Sequence, residues 1–152
     1  MILQTEYTIR RELTPDDFDV ILTTAIEGGI SYWACLDNST DDWKAAKAEL
    51  IEELKDEENE YDRKPTYDQI MMRLLQNGKS VAFTDAEDPD NDEVWELTAE
   101  KLMTGALEFQ AERMMRTCDV YDIKSEIENG DFDADDADAV MQYALFGDVI
   151  YG

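Results

Sequence analysis

Carboxylates are almost the only chemistry-bearing side chains in this chain of 152 residues. Asp and Glu number 38 against 13 Lys and Arg, with no histidine, for a net charge of −25. General acid–base catalysis near neutral pH most often uses histidine, and its absence argues against an enzyme. With so many acids, closeness of two carboxylates along the chain carries no catalytic meaning. The two thiols, Cys35 and Cys118, form no CxxC pair. A cysteine nucleophile needs a base, and a tetrahedral zinc site without histidine needs more thiolates than these two supply. Both are expected to be core or incidental thiols, kept free in a reducing cytoplasm. No glycine loop suited to cradling a phosphate is present, since Gly28-Gly29 reads as a helix stop.

Two acidic loops invite comparison with a calcium loop. Asp131, Asp133 and Asp135 fall at loop positions one, three and five, but position six is Asp136 instead of Gly and position twelve is Gln142 instead of Glu. The run Asp88, Asp90, Asp92 lacks the same two features. No metal and no other cofactor is expected. Asp133, Asp135 and Asp136 are better suited to capping and charging the start of a helix.

What distinguishes the acids is their placement. Glu49 to Asp62 holds eight acids and one Lys, Asp85 to Glu100 eight acids and no basic residue, and Asp119 to Asp138 nine acids and one Lys. These three windows carry −23 of the net −25, so the rest of the chain is close to neutral. Like charges gathered in this way repel one another in a folded chain, a cost that solubility alone does not require. Such surfaces repel nucleic acid and anionic lipid and attract basic proteins. The candidate partner-binding residues are Glu49, Glu52, Glu53, Asp56 and Glu57 in the first window, and Asp88, Asp90, Asp92 and Glu93 in the second. In the third they are Asp131, Asp133, Asp135 and Asp136.

The elements that must position these acids are legible from caps and apolar spacing. Three Trp, seven Tyr and five Phe provide a core that an unfolded acidic tail would lack. The segment Ile2 to Leu13 reads as an edge strand or a loose arm. Thr14-Pro15-Asp16-Asp17 starts a helix whose stripe is Phe18, Ile21, Leu22, Ala25 and Ile26, ended by Gly28-Gly29. Ile30 to Leu36 reads as a buried strand or helical turn. Thr40 caps a helix from Asp41 to about Glu58 with Trp43, Ala46, Leu50, Ile51 and Leu54 on its apolar face. Thr66 caps another with Ile70, Met71, Leu74 and Leu75, stopping at Asn77-Gly78. Ser80 to Thr84 and Glu93 to Leu97 form a hairpin across an acidic turn. Thr98 caps a long helix to about Arg116, a last helix covers Asp135 to Phe146, and Val149-Ile150-Tyr151 is placed to dock as a short terminal strand. The expected fold is α+β, a single compact, mostly helical domain over residues 1–152 with a small antiparallel hairpin. No apolar run is long enough to span a bilayer, and the first residues, MILQTEYTIRREL, have no signal-peptide pattern.

Two stretches carry a resemblance. Thr24 to Ala34 (TAIEGGISYWA), and Asp135 to Asp138 together with Gln142 to Gly152 (QYALFGDVIYG), resemble small acidic proteins of unknown function from phages and prophages. Asp85, Trp95-Glu96-Leu97-Thr98 and the long helix after them fit the same pattern. The resemblance brings no catalytic motif and implies an accessory product of a phage or mobile element, acting in the host cytoplasm. In charge and size, such products resemble anti-CRISPR and anti-restriction proteins that imitate DNA. The expected function is inhibition of a host defence complex by occupying its basic nucleic-acid-binding groove, as a monomer or homodimer with no direct contact to nucleic acid or membrane. The competing readings are capture of a small-molecule signal, in a pocket lined by Tyr32, Trp33 and Trp95, and a phage structural or assembly role. The stretch around Tyr32-Trp33 is otherwise expected in the core.

Overall fold

The computed structural model of the protein describes residues 13–152, so the strand or arm expected over Ile2 to Leu13 lies outside the described residues except for Leu13, which is buried. Helix α1 (Pro15–Thr24) begins where Thr14 and Asp17 cap each other. The Thr14 N–H donates to Asp17 Oδ2 at 2.7 Å, and Pro15 sits at the first helical position. Its stripe buries Ile21 and Leu22. The chain leaves α1 through one wide π-helical turn, Ala25–Gly29. Gly29 is required there. An added Cβ would stand 2.9 Å from the Ala134 carbonyl oxygen, on the backbone that opens the last helix.

A turn over residues 31–33 follows, then strand β1 (Ala34–Leu36). The expected hairpin is present as β2 (Val81–Asp85) and β3 (Val94–Leu97), and β1 joins it to make a three-stranded antiparallel sheet in the order β1-β2-β3. Ala34 pairs with Asp85, and Phe83 pairs with both Leu36 and Trp95. Alternation along β2 and β3 puts Val81, Phe83, Trp95 and Leu97 into the core. Cys35 falls on the opposite, exposed side of β1. The expectation that the apolar run around it buries this thiol is corrected by that one-residue alternation.

Helix α2 (Asp41–Leu54) starts on Thr40, whose Oγ1 accepts the Trp43 N–H, and buries Trp43, Ala46 and Leu50. It stops four residues short of the expected Glu58. Arg63, in a 3-10 turn (Tyr61–Arg63), donates its Nε–H to the Glu57 carbonyl at 2.7 Å and an Nη2–H to that of Glu58 at 3.2 Å, so a guanidinium serves these carbonyls. Ile51, expected on the apolar face, is exposed because it lies one position beyond the Leu50 ridge. Helix α3 (Tyr67–Gln76) buries Ile70, Met71, Leu74 and Leu75 as read from its spacing.

Helix α4 (Ala99–Thr117) is capped by Thr98 and ends at Cys118, an exposed residue in the left-handed conformation at φ 53°. Its closest neighbour is the last helix, α6 (Ala134–Phe146). The two backbones meet at Gly105, where a Cβ would lie 2.6 Å from the Ala144 nitrogen and 2.7 Å from the Val140 carbonyl oxygen. Between α4 and α6 runs a short helix that spacing did not reveal, α5 (Ile123–Glu128). The Ile123 N–H that opens it donates to Gln110 Oε1 of α4 at 3.0 Å, in the interior. The buried side chains of all these elements form one cluster. The architecture is α+β and mostly helical, with six α-helices and one small antiparallel sheet among the described residues. No helix among those residues is long and apolar enough to cross a membrane.

Candidate functional site

The three acidic windows end up in different physical states. In the first, Glu49 and Glu53 project from α2 toward Arg73 of α3. Its Nη1 lies 3.2 Å from Glu49 Oε2 and its Nη2 lies 2.6 Å from Glu53 Oε2. Asn77 also donates to Glu49 at 3.1 Å. The Asn77 amide and then the Arg73 guanidinium hold the Glu49 carboxyl below its ordinary range, and Arg73 does the same for Glu53. Glu52 pairs with Lys55 one turn on. Asp56 and Glu57 are exposed in the loop after α2. Three of the five expected binding acids in this window therefore already face a cation of the same chain.

The second window builds its own loop. Asp85, at the end of β2, accepts the N–H groups of Glu87 at 2.9 Å and Asp88 at 3.3 Å, and the Asn91 side-chain amide at 3.4 Å. Asp88 Oδ1 accepts the Asp90 N–H, and Asn91 Oδ1 the Glu93 N–H. Side-chain oxygens thus take the place of a backbone ladder in this turn. Asp88, Asp90, Asp92 and Glu93 are all exposed, and among the described residues none has a cation within ion-pair distance.

The third window is divided. Asp133 is the N-cap of α6 and forms a reciprocal box with Asp136. The Asp136 N–H donates to Asp133 Oδ1 at 2.9 Å, and the Asp133 N–H to Asp136 Oδ2 at 3.1 Å. Asp136 is buried and accepts from Arg113 Nη1 at 2.9 Å, while that guanidinium lies 4.9 Å over the Tyr121 ring. Burial raises the Asp136 pKa despite the hydrogen bond at the cap and the arginine. Its placement as a partner-binding residue is therefore corrected: the carboxylate is committed to the fold. Asp131 and Asp135 stay on the surface.

One acid that the sequence reading did not single out accepts three side-chain donors. Asp138, on the first turns of α6, accepts the Tyr32 hydroxyl at 2.6 Å, the Trp33 indole N–H at 2.7 Å and the Gln142 side-chain N–H at 2.9 Å. Burial and the Asp138 carboxylate push the Tyr32 hydroxyl up to about 12, so it stays protonated and donates. Gln142, itself buried, turns its Oε1 to the backbone N–H groups of Ile150 and Tyr151, both at 2.8 Å. The C-terminal segment is held by this side chain and is not a strand, contrary to the expectation for Val149-Ile150-Tyr151. Tyr151 stacks on Trp33 with centroids 5.2 Å apart and planes at 7°, and Trp95 and Phe146 close the same aromatic cluster.

Beside Asp138 opens a cavity of about 440 Å³, lined by Gly28, Gly29, Tyr32, Asp135, Asp138, Ala139, Gln142, Val149, Tyr151 and Gly152. Of the three aromatics expected to line a pocket, only Tyr32 does so. Trp33 and Trp95 are buried behind it, and Tyr32, expected in the core, is 46% exposed. The stretches set apart in the sequence, Thr24 to Ala34 and Asp135 to Asp138 with Gln142 to Gly152, supply all of this lining except Ala139. A local signal existed in the Asp138–Gln142 spacing of four, which puts both side chains on one face of α6. Tyr151 lies within the field of Asp85, Glu87 and Glu93 of the hairpin loop, and Tyr32 within that of Asp135 and Asp138. The hairpin, through Trp95, and α6, through Gln142, both border the C-terminal segment, while Glu49 and Glu53 of the first window face Arg73 of α3.

Among the described residues no group of three Cys, Asp or Glu side chains is placed to hold a metal ion. Comparison of the chain with protein-family models, curated proteins and solved structures found no match.

Proposed function

We propose that this protein is an acidic inhibitor of phage type that binds a basic nucleic-acid-binding groove of a host defence complex, such as a CRISPR effector or a restriction enzyme, in place of DNA. The observation that carries this reading is the exposure of Asp88, Asp90, Asp92 and Glu93 on one side-chain-bonded loop, with no cation among the described residues within ion-pair distance of any of them. Duplex DNA presents one negative charge per about 1.7 Å of axis, and its protein partners follow that charge with Lys and Arg. A loop fixed by its own side-chain hydrogen bonds offers carboxylates to the same residues with little ordering cost on binding. The paired acids of the first window support the reading less, because Arg73 and Lys55 already offset them.

The test is competition with labelled duplex for purified CRISPR and restriction complexes. Replacing Asp88, Asp90, Asp92 and Glu93 with Asn and Gln should weaken inhibition at least tenfold, about 1.4 kcal/mol, while the Glu52, Asp56 and Glu57 amide set should change it less than threefold. Rising salt should slow association of the wild type. Full inhibition by a folded hairpin-loop variant, or no displacement of duplex from any such complex, overturns the proposal.

A further inference from the structure

The cavity between the glycine turn and α6 has a lining that selects for one kind of guest. Among the described residues its charged side chains are Asp135 and Asp138, and neither Lys nor Arg lines it. Asp138 is already oriented by three donors, two of them on Oδ1 and only the Tyr32 hydroxyl on Oδ2. Oδ2 therefore retains acceptor capacity. Asp135 is exposed at the rim. Tyr32, half-exposed, forms one side, and the backbone of Gly28 and Gly29 forms the floor without side chains to fill it. Tyr151 and Gly152 form the other side. An anion would meet two carboxylates here with no offsetting cation among the described residues, and an apolar guest would strand the carboxylates' solvation.

A planar cation suits this lining better than a compact one. A guanidinium can lie against an aromatic ring and at the same time offer two parallel N–H groups to a carboxylate, whereas an ammonium is a strongly hydrated point charge. We infer that this cavity is a receptor for a guanidinium group, carried by an arginine side chain of the basic partner. Asp135 provides the bidentate acceptor, Tyr32 the ring, and Asp138 the fixed charge beneath. This inference rests on the reading that the partner is a basic protein and adds the anchoring contact to it. The volume of about 440 Å³ leaves room for the arginine stem and adjoining main chain as well as the head group.

The experiment needs no partner protein, so its outcome is separate from that of the competition assay. The isotopically labelled full chain is titrated with Nα-acetyl-arginine methylamide, followed by amide chemical shifts. Saturable shifts confined to Gly28, Gly29, Tyr32, Asp135 and Gln142 are expected, weakened at least fivefold by Asp135→Asn and by Tyr32→Ala. The isosteric citrulline probe, which has the same shape without the charge, should not bind, and the lysine probe should bind several-fold more weakly. Glu60→Gln, an exposed acid beside the 3-10 turn Tyr61–Arg63, should leave the titration unchanged. n-Butylguanidinium, a free guanidinium of the same single charge without a main chain, should bind no more tightly than the blocked arginine; tighter binding would assign the cavity to a free small cation and overturn the partner side chain as its guest. Binding of citrulline equal to that of arginine, shifts spread evenly over all three acidic windows, or an unchanged affinity in Asp135→Asn with the fold intact would likewise overturn the inference.

Discussion

The acids of α6 and those of α2 carry the same formal charge and do opposite work. On α6, Asp133, Asp136 and Asp138 are bound by the helix's own N–H groups, by Arg113, and by an indole, a phenol and an amide. On and after α2, Glu52, Asp56 and Glu57 stand in solvent, and the pairs made by Glu49 and Glu53 with Arg73 are surface pairs. A buried carboxylate that accepts several donors is part of the interior, because removing it leaves those donors unpaired. An exposed one adds little to stability and acts mainly through its field. Net charge therefore says how strongly the molecule attracts cations, and burial says which acids are available to do so.

The comparison is sharpest at Asp138. Asp138→Ala should destabilise the fold by about 2–3 kcal/mol, since it removes the one acceptor that the buried Trp33 indole N–H has among the described residues, and urea unfolding measures it. A loss under 0.5 kcal/mol would place Asp138 with the surface acids. An intermediate case lies where α1 meets α3. Burial, then the neighbouring Asp68 carboxylate with which it shares a hydrogen bond, then Asp16, raise Asp19 from 3.8 to about 6, while Asp68 is lowered. The folded state thus holds a proton on Asp19 that the unfolded chain has released above about pH 4. This contribution to stability is present at acid pH and is lost as pH rises through about 6, while that of Asp68 is lost only below its ordinary range. Melting temperature should therefore fall from pH 5 to pH 7.5, and Asp19→Asn should flatten the dependence. An unchanged slope in Asp19→Asn would assign the whole effect to general self-repulsion. The smallest effect is expected for the joint replacement of Glu52, Asp56 and Glu57 by amides. Stability should move by less than about 0.5 kcal/mol, toward greater stability at low salt and toward zero at 0.15 M, where screening shortens the reach of the charges to about 8 Å. A loss above 1 kcal/mol would show that these acids are structural after all.

Helix starts were legible because the signal is local. Thr14, Thr40, Thr66 and Thr98 each precede a stripe at spacings of three and four, and each opens a helix at that point. The strands of the hairpin were legible from alternation. Features set by distant partners were not. Helix α5 has six residues and depends on Gln110, thirteen positions earlier, for the acceptor of its first N–H. The early end of α2 depends on Arg63 reaching back to two carbonyls. In the candidate site, the acidic turn read between the two strands is the loop where Asp88, Asp90, Asp92 and Glu93 stand exposed. The commitment of Asp136 to Arg113, 23 positions away, and of Asp138 to Trp33, 105 positions away, leaves no trace in local spacing. The cavity was invisible for the same reason, since its two sides come from opposite ends of the described chain.

The side-chain clamp at Gln142 has a kinetic consequence. A strand added to a sheet shares its amides with a ladder, and those amides open only with the sheet. Here Ile150 and Tyr151 both donate to the single Oε1 of Gln142, so a change of one side-chain rotamer frees both at once. In hydrogen exchange these two amides should be protected yet exchange together, by local opening, well before the core amides of β2 that open only on global unfolding. The exchange rate of that pair then becomes a clock for access to the aromatic cluster, readable without unfolding the protein.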